Sequence, residues 1–328
     1  MKASIQEHLH LIQPELQAVE RRLQTLLQSD MSIVSELGLH LAKSGGKRFR
    51  PSLLIFFYKM VNQQSGRPAP EDDAIELAAL LEMIHMATLA HDDVIDQAEE
   101  RRHHASLHHR FGNRKAVYEG DFILSRVIKV LNRYDSTIRA MVINAVEDVL
   151  EGELLQESLR WKIATEDEYF RVIQGKTASL IAVACALGSL LGDTQILPAQ
   201  IDKIFDAGMD LGTAYQMVDD LLDIFGDEIG KPTWSDRTGG WLTLPFIRLL
   251  EAANNSAELL PLLQAKTITE HERDFLLEEL QAKGIREAFL SDARDRVERA
   301  KPALDWLDDS LMKRALYSSF SFVTERKL

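Results

Sequence analysis

Cysteine is almost missing: the 328 residues carry one, Cys185. A lone thiol closes no internal disulfide and builds no thiolate zinc cluster, which suits a reducing compartment, so a cytoplasmic location is expected. Proline is scarce, at nine residues, and no part of the chain alternates apolar and polar positions as a strand-rich half would. An excess of positive charge is lacking too. Lys and Arg number 38 against 51 Asp and Glu, a net charge of -13 that repels a phosphate backbone, so no nucleic-acid partner is expected. The opening residues Met1 to His8 lack an apolar export segment. The most apolar run, Leu180 to Leu191, falls short of the ~20 residues a bilayer crossing needs, so it reads as a buried core helix and no transmembrane segment is expected.

What is present is helix patterning. Hydrophobic residues make up 45% of the chain and recur at three- and four-residue steps, as in helix packed on helix. One all-α domain over residues 1–328 is expected. The pattern places helices over Ile5 to Ser44, Pro51 to Gln63, Asp73 to Ala98, Ala116 to Arg133, Ile138 to Lys162, Asp167 to Leu191 and Pro198 to Phe225, with shorter stretches from Thr243 onward. Glycine, proline and polar residues interrupt it at Asn62 to Asp72, Gln97 to Asn113 and Gly226 to Trp241.

Two of these helices carry acid where a core helix should not. Glu82, His85, Asp92 and Asp96 fall on one stripe by sums of three and four, amid Ile84, Met86, Leu89, Ala90 and Ile95. Gln216, Asp219, Asp220 and Asp223 repeat the arrangement amid Tyr215, Met217, Leu221, Leu222 and Ile224. Like carboxylates one turn apart repel, and a solvated acidic face is the ordinary account of a single Asp-Asp-x-x-Asp. Two copies inside apolar helices point instead to divalent cations. Magnesium takes oxygen ligands, keeps waters and is completed by substrate phosphates, whereas zinc would ask for thiolates or paired imidazoles.

A phosphate substrate needs cations as well. Lys47, Arg48 and Arg50 follow Gly45-Gly46, Arg101-Arg102 follow the first acidic cluster, and Gly175-Lys176-Thr177 offers an ammonium and a hydroxyl. The last resembles the end of a P-loop, but the glycine required five positions earlier is Phe170, which excludes nucleotide hydrolysis on that motif. His103, His104, His108 and His109 are expected in a mobile loop without metal. His85 shares the acidic stripe, either as a phosphate donor or as a satisfied core histidine.

Taken in order, Gly45-Gly46-Lys47-Arg48-Phe49-Arg50-Pro51, Glu82 to His85, His91 to Asp96, Arg101-Arg102, Gly120-Asp121, Glu151-Gly152-Glu153, Lys176-Thr177-Ala178, Gln216 to Asp223, Gly230-Lys231-Pro232 and Thr243-Leu244-Pro245 resemble the trans-polyprenyl diphosphate synthases over almost the whole chain. The resemblance implies an isoprenoid-synthase-type helical bundle around a deep central cavity, with the aspartate-rich helices facing each other at its mouth. It implies two or three Mg2+ ions on Asp92, Asp96 and Asp219, with Asp93, Asp220 and Asp223 as further ligands or supports. Isopentenyl diphosphate would be bound by Lys47, Arg50, His85 and Arg102. The allylic diphosphate would be bound by Arg101, Lys176, Thr177, Gln216 and Lys231, with Lys176 and Gln216 also easing the positive charge of the reacting carbon. Ala87 and Thr88, a turn before Asp92, would set product length. Being small, they imply a medium to long chain, of the kind used for quinone side chains; a short-chain synthase is the nearer alternative, and a terpene cyclase or a weakly active subunit of a heterodimeric synthase the farther ones. The partner would be a second copy or a smaller subunit, the nearest likeness being the catalytic component of heptaprenyl-type enzymes. The chain departs from the family at His103, where glycine is usual, and at Trp241, where lysine is frequent.

Overall fold

A computed structural model of the chain describes residues 8–43, 46, 48–101, 104–226 and 234–324. After a 3-10 turn, Leu9–Ile12, come α1 (Gln13–Leu26), α2 (Ser32–Lys43), α3 (Phe49–Ser65) and α4 (Glu71–Ile95). A two-residue antiparallel pair, β1 (Glu100–Arg101) with β2 (His104–Ala105), leads to α5 (Leu107–Phe111), α6 (Asn113–Leu131) and α7 (Ser136–Ser158). Then follow α8 (Glu166–Ile173), a π turn (Gln174–Ala178), α9 (Ser179–Gly192) and α10 (Pro198–Phe225). The remainder is α11 (Ser235–Thr238), α12 (Leu244–Ala252), α13 (Ser256–Gln264), α14 (Glu270–Ala282), α15 (Ile285–Ala300), a 3-10 turn (Lys301–Leu304) and α16 (Leu311–Thr324). The fold is all-α, as the apolar periodicity predicts.

Two stretches differ from the sequence expectation, and the helix expected over Asp167 to Leu191 is found. The first long helix is broken between Leu26 and Ser32, where Ser35 Oγ accepts the Ser29 N–H at 2.9 Å and returns its own proton to the Ser29 carbonyl at 3.1 Å. The described parts of the next break, 97–101 and 104–113, are no open loop, and His103 lies outside them. His108 is buried, with Nε2 2.8 Å from the Ala98 carbonyl and Nδ1 3.2 Å from Asn113 Oδ1, so it ties the segment down. The apolar run around Leu180 lies within a continuous helical stretch, Glu166–Gly192, that with Glu71–Ile95 is long and apolar enough to cross a membrane. Those apolar windows are 83% and 72% buried inside the protein, the condition of core helices.

The centre is α9, whose residues are buried on nearly every side between α3 and α10. α4 packs on α6, α3 and α1, and α10 on α15. A smaller apolar cluster of Phe246, Leu249, Leu259, Leu276 and Leu280 lies among α12, α13 and α14. Close approach of α3 and α9 depends on Gly188: a Cβ there would stand 2.2 Å from the Leu54 carbonyl oxygen. Alanine gains about 1 kcal/mol of helix propensity over glycine, but overpacking against backbone costs about 1–3 kcal/mol. Gly188→Ala is therefore expected to lower stability by up to about 2 kcal/mol in urea denaturation, whereas propensity alone would raise it.

Candidate active site

The two acidic helices do not present all their aspartates in the same way. Residues i and i+4 share a helix face, while i+1 lies about 100° further round. Accordingly Asp92 is half-buried and Asp96 exposed at the end of α4, whereas Asp93 turns inward and is buried. Arg101 holds it, with Nε 2.8 Å and Nη2 2.6 Å from Asp93 Oδ1. On α10 the same division recurs: Asp219 is exposed, Asp223 half-buried and Asp220 buried. Asp220 accepts from the Tyr169 hydroxyl at 2.6 Å and from Gln216 Nε2 at 2.8 Å; Thr177 in turn donates to Gln216 Oε1 at 2.9 Å. Asp223 accepts from the Ser235 N–H and hydroxyl at 2.9 and 2.6 Å and from the Asp236 N–H at 3.2 Å, fastening the start of α11.

Lys176 joins the two acidic regions. The π turn displaces the helix register locally, a distortion common at functional sites. It packs on α7 through two glycines: a Cβ on Gly175 would meet the Asp148 carbonyl oxygen at 2.5 Å, and one on Gly152 the Lys176 nitrogen at 2.8 Å. From there Lys176 Nζ donates to Glu153 Oε2 at 2.8 Å and Gln156 Oε1 at 3.0 Å. Burial alone would lower its pKa, but Glu153, Asp92 and Asp96 hold it raised.

One ammonium does not neutralise this much acid. Burial, then Glu153 and Asp96, push the Asp92 carboxyl up to about 7 against the pull of Lys176 and Arg101. Burial, with Asp219 and Asp223 beside it, pushes Asp220 up to about 7 although Tyr169 and Gln216 favour its charged form. Asp236 is raised well above the usual carboxylate range by burial and by Asp220, Asp223 and Asp219, with Lys176 opposing. Among the described residues no three acidic or imidazole side chains converge as a closed metal cluster. An oxygen-only donor set with uncompensated negative charge nevertheless fits hard divalent cations that keep waters and share ligands with a phosphate.

The cations expected around a second diphosphate are only partly visible. Lys47, Arg102 and Lys231 lie outside the described residues. Arg50 and His85 are half-buried. His85 lines a pocket with Arg48, Glu82, Met86, Leu89, Asp93, Arg101 and Ser106. Its geometry is governed by Arg48, expected from the sequence among the phosphate-binding cations but held here by protein carboxylates. Arg48, at φ 46°, donates to Glu82 Oε1 at 2.7 Å and to the Ala42 carbonyl at 3.2 Å, and pairs with Glu20. Sequence reasoning assigned no role to Glu153, Tyr169, Arg160 and Asp236, because their partners lie far away in sequence. Ala87 is fully buried in α4, and Thr88 is half-buried with its hydroxyl on the His85 carbonyl at 2.9 Å. Trp241 is buried and stacks on Tyr169 at 6.2 Å and 11°, so it buttresses the anchor of Asp220.

An all-helical bundle whose two aspartate-rich helix ends are linked through the Lys176–Thr177 turn suits a helical enzyme for polyphosphate-bearing substrates. Residues 31–280 match the family model described as Polyprenyl synthetase. The octaprenyl diphosphate synthase of Escherichia coli is 32% identical over 306 residues, 92% of each chain. The heptaprenyl diphosphate synthase component 2 of Bacillus subtilis is 31% identical over 332 residues, covering 95% of this chain and 88% of that one. The crystal structure of a Caulobacter crescentus polyprenyl synthase, complexed with calcium and isoprenyl diphosphate, superposes with a TM-score of 0.89 at 28% identity, covering 100% of this chain and 99% of that one. Other matching relatives are named for short-chain and geranylgeranyl products. The chain belongs to the polyprenyl synthetase family, and its class is that of the prenyltransferases.

The network on Asp220 makes a pH-dependent prediction. With a folded pKa of about 7 against ~3.9 unfolded, the folded protein retains a proton that the unfolded chain has released, so stability falls as pH rises through that window. Tyr169→Phe removes a donor that favours the charged form, raising the folded pKa further and extending the loss above pH 7. The variant is expected to lose about 1 kcal/mol at pH 5 and about 2–3 kcal/mol at pH 8 in urea denaturation. Equal losses at both pH values would refute this role for the hydroxyl.

Proposed function

We propose that this enzyme condenses isopentenyl diphosphate head to tail with an allylic diphosphate, giving a medium- to long-chain (E)-polyprenyl diphosphate. The observation that carries the proposal is that the Lys176–Thr177 turn serves both acidic helix ends, Lys176 through its charge on Asp92 and Asp96 and Thr177 through Gln216 to Asp220, in surroundings that leave carboxylates short of countercharge.

Asp92, Asp96, Asp219 and Asp223 are half-buried or exposed, as metal ligands require, with Asp93 and Asp220 orienting the helix ends from within. Magnesium, two or three ions, would supply charge stabilisation to the departing diphosphate. Lys176 and Thr177, with Arg101, Gln216 and Lys231, address the allylic diphosphate; Lys47, Arg50, His85 and Arg102 address that of isopentenyl diphosphate. As the allylic carbon–oxygen bond breaks, its electron pair leaves with diphosphate. The double bond of isopentenyl diphosphate then attacks the cationic carbon, and the proton lost from the neighbouring carbon passes to a diphosphate oxygen. The Gln216 carbonyl oxygen and backbone carbonyls near Lys176 ease the transient positive charge, and the apolar walls below exclude water.

Product length rests on Ala87 and Thr88, since overall likeness extends to short- and long-chain relatives alike. A buried alanine leaves room beneath the mouth that an aromatic ring would fill. A cytoplasmic location follows from the single, buried thiol. The enzyme pairs with a second copy of itself. Exposed apolar side chains are concentrated on α6 (Val117, Tyr118, Ile128) and α7 (Ile143, Leu150, Leu154), and α6 carries Lys115 and Lys129 where α7 carries Glu147 and Glu151, charges suited to an exchanged pairing.

Mass spectrometry of products made from isopentenyl diphosphate and an allylic primer tests the chemistry. Chelation, Asp92→Asn or Asp219→Asn is expected to reduce elongation by at least ~10²-fold, and full-speed elongation in any of these cases would overturn the metal site. Ala87→Tyr is expected to shorten the product by several isoprene units; unchanged length removes the floor. For the pairing, Leu154→Glu is expected to halve the mass measured by sedimentation equilibrium. A wild-type protein that sediments as a monomer would end that part of the proposal.

A further inference from the structure

Between α7 and α8 the chain reverses through a turn in which Trp161 has φ 62°, a left-handed conformation rare for a bulky residue. The turn is locked to the segment before α12. Trp161 N–H donates to the Gly240 carbonyl at 2.7 Å, and Gln264 Nε2 donates to the Trp161 carbonyl at 3.2 Å. Gly240, at φ 88°, lies flat against both turn residues: a Cβ there would stand 2.6 Å from Trp161 Cε2 and 2.9 Å from Arg160 Cγ. The stem of Arg160 is thereby set against backbone, and its head points to the mouth of the site. Nη2 lies 3.2 Å from Asp96 Oδ1, and Nε donates to Glu157 Oε2 at 2.8 Å.

Arg160 differs from the other described cations at the mouth in what it holds. Arg101 is bound to the buried Asp93, and Lys176 to Glu153 and Gln156 within the protein. Arg160 is 34% exposed and contacts Asp96, which is 57% exposed. A pair so open to water is weak and readily exchanged. A divalent cation competing for Asp96 carries twice the charge of the guanidinium, and a guanidinium displaced from a carboxylate is well matched to two oxygens of a phosphate.

We infer that Arg160 is a further diphosphate-binding residue: it neutralises Asp96 in the metal-free protein and turns to the substrate diphosphate when a divalent cation takes Asp96. This rests on Asp92, Asp96 and Asp219 being the metal site proposed above. The sequence offers no signal for it, since Arg160 belongs to none of the motifs and reaches Asp96 across 64 residues.

Calorimetric titration of the full-length protein tests it, using magnesium alone and then inorganic pyrophosphate in excess magnesium. For Arg160→Gln, pyrophosphate affinity is expected to fall about tenfold. Magnesium affinity in the absence of pyrophosphate should be unchanged or up to a few-fold tighter, because Asp96 is no longer contested. Arg160→Lys should recover part of the pyrophosphate affinity. The KM for the allylic diphosphate should rise with kcat held within about twofold, as loss of uniform binding requires. Pyrophosphate affinity within twofold of wild type in Arg160→Gln overturns the inference while leaving the metal site intact. A melting temperature that falls together with affinity, without recovery by lysine, also overturns it, in favour of a structural role. Absence of magnesium-dependent pyrophosphate binding in the wild type would defeat the metal site, and Arg160's role with it.

Discussion

Lys176 stands where the rest of the site converges. Its charge acts on Asp92, Asp96 and Asp236, while Glu153 and Gln156 hold its ammonium. The position depends on a π turn, and the π turn on two glycines that let α7 lie against it at backbone distance. One positive charge among so many carboxylates cannot balance them. The surplus acid stays partly protonated near neutral pH, as the raised Asp92 and Asp220 indicate. A region in that condition gains most from a dication, which is why its electrostatics suit metal-assisted departure of diphosphate better than general acid–base chemistry.

The inward aspartates explain how such a region is kept in place. Asp93 and Asp220 occupy the same position in their motifs, and both are anchored in the interior, one by Arg101 and the other by Tyr169 and Gln216. Buried carboxylates with fixed donors hold the ends of α4 and α10, so that their outward neighbours meet the mouth at a set angle. Trp241 stacks on Tyr169 and so supports the same anchor. Arg160 reaches Asp96 from a neighbouring turn wedged against Gly240.

Much of the fold was legible beforehand. α10 begins and ends at Pro198 and Phe225 as its periodicity predicts, and the remaining long helices of the core fall within a few residues of expectation. The break after Leu26 was not legible, because its cause is a pair of serine hydrogen bonds that leaves the apolar spacing undisturbed. The anchored histidine loop was misjudged for a similar reason. His108 finds its partners at Ala98 and Asn113, and no composition rule distinguishes a ring that is bonded from one that is free.

The class of protein was legible in the sequence alone: apolar periodicity called for helices, and two aspartate motifs within core helices pointed to divalent cations. The sequence also determined the residue types at the mouth. Tertiary structure decided which aspartates look out and which look in, because a difference of one residue on a helix is a rotation of about 100° whose direction has meaning only against a neighbour. It decided as well that Arg48 meets Glu82, Tyr169 meets Asp220, Lys176 meets Glu153 and Arg160 meets Asp96, pairs far apart along the chain. Electrostatic interactions act through space and fall off with distance, and a linear order of residues contains no distances.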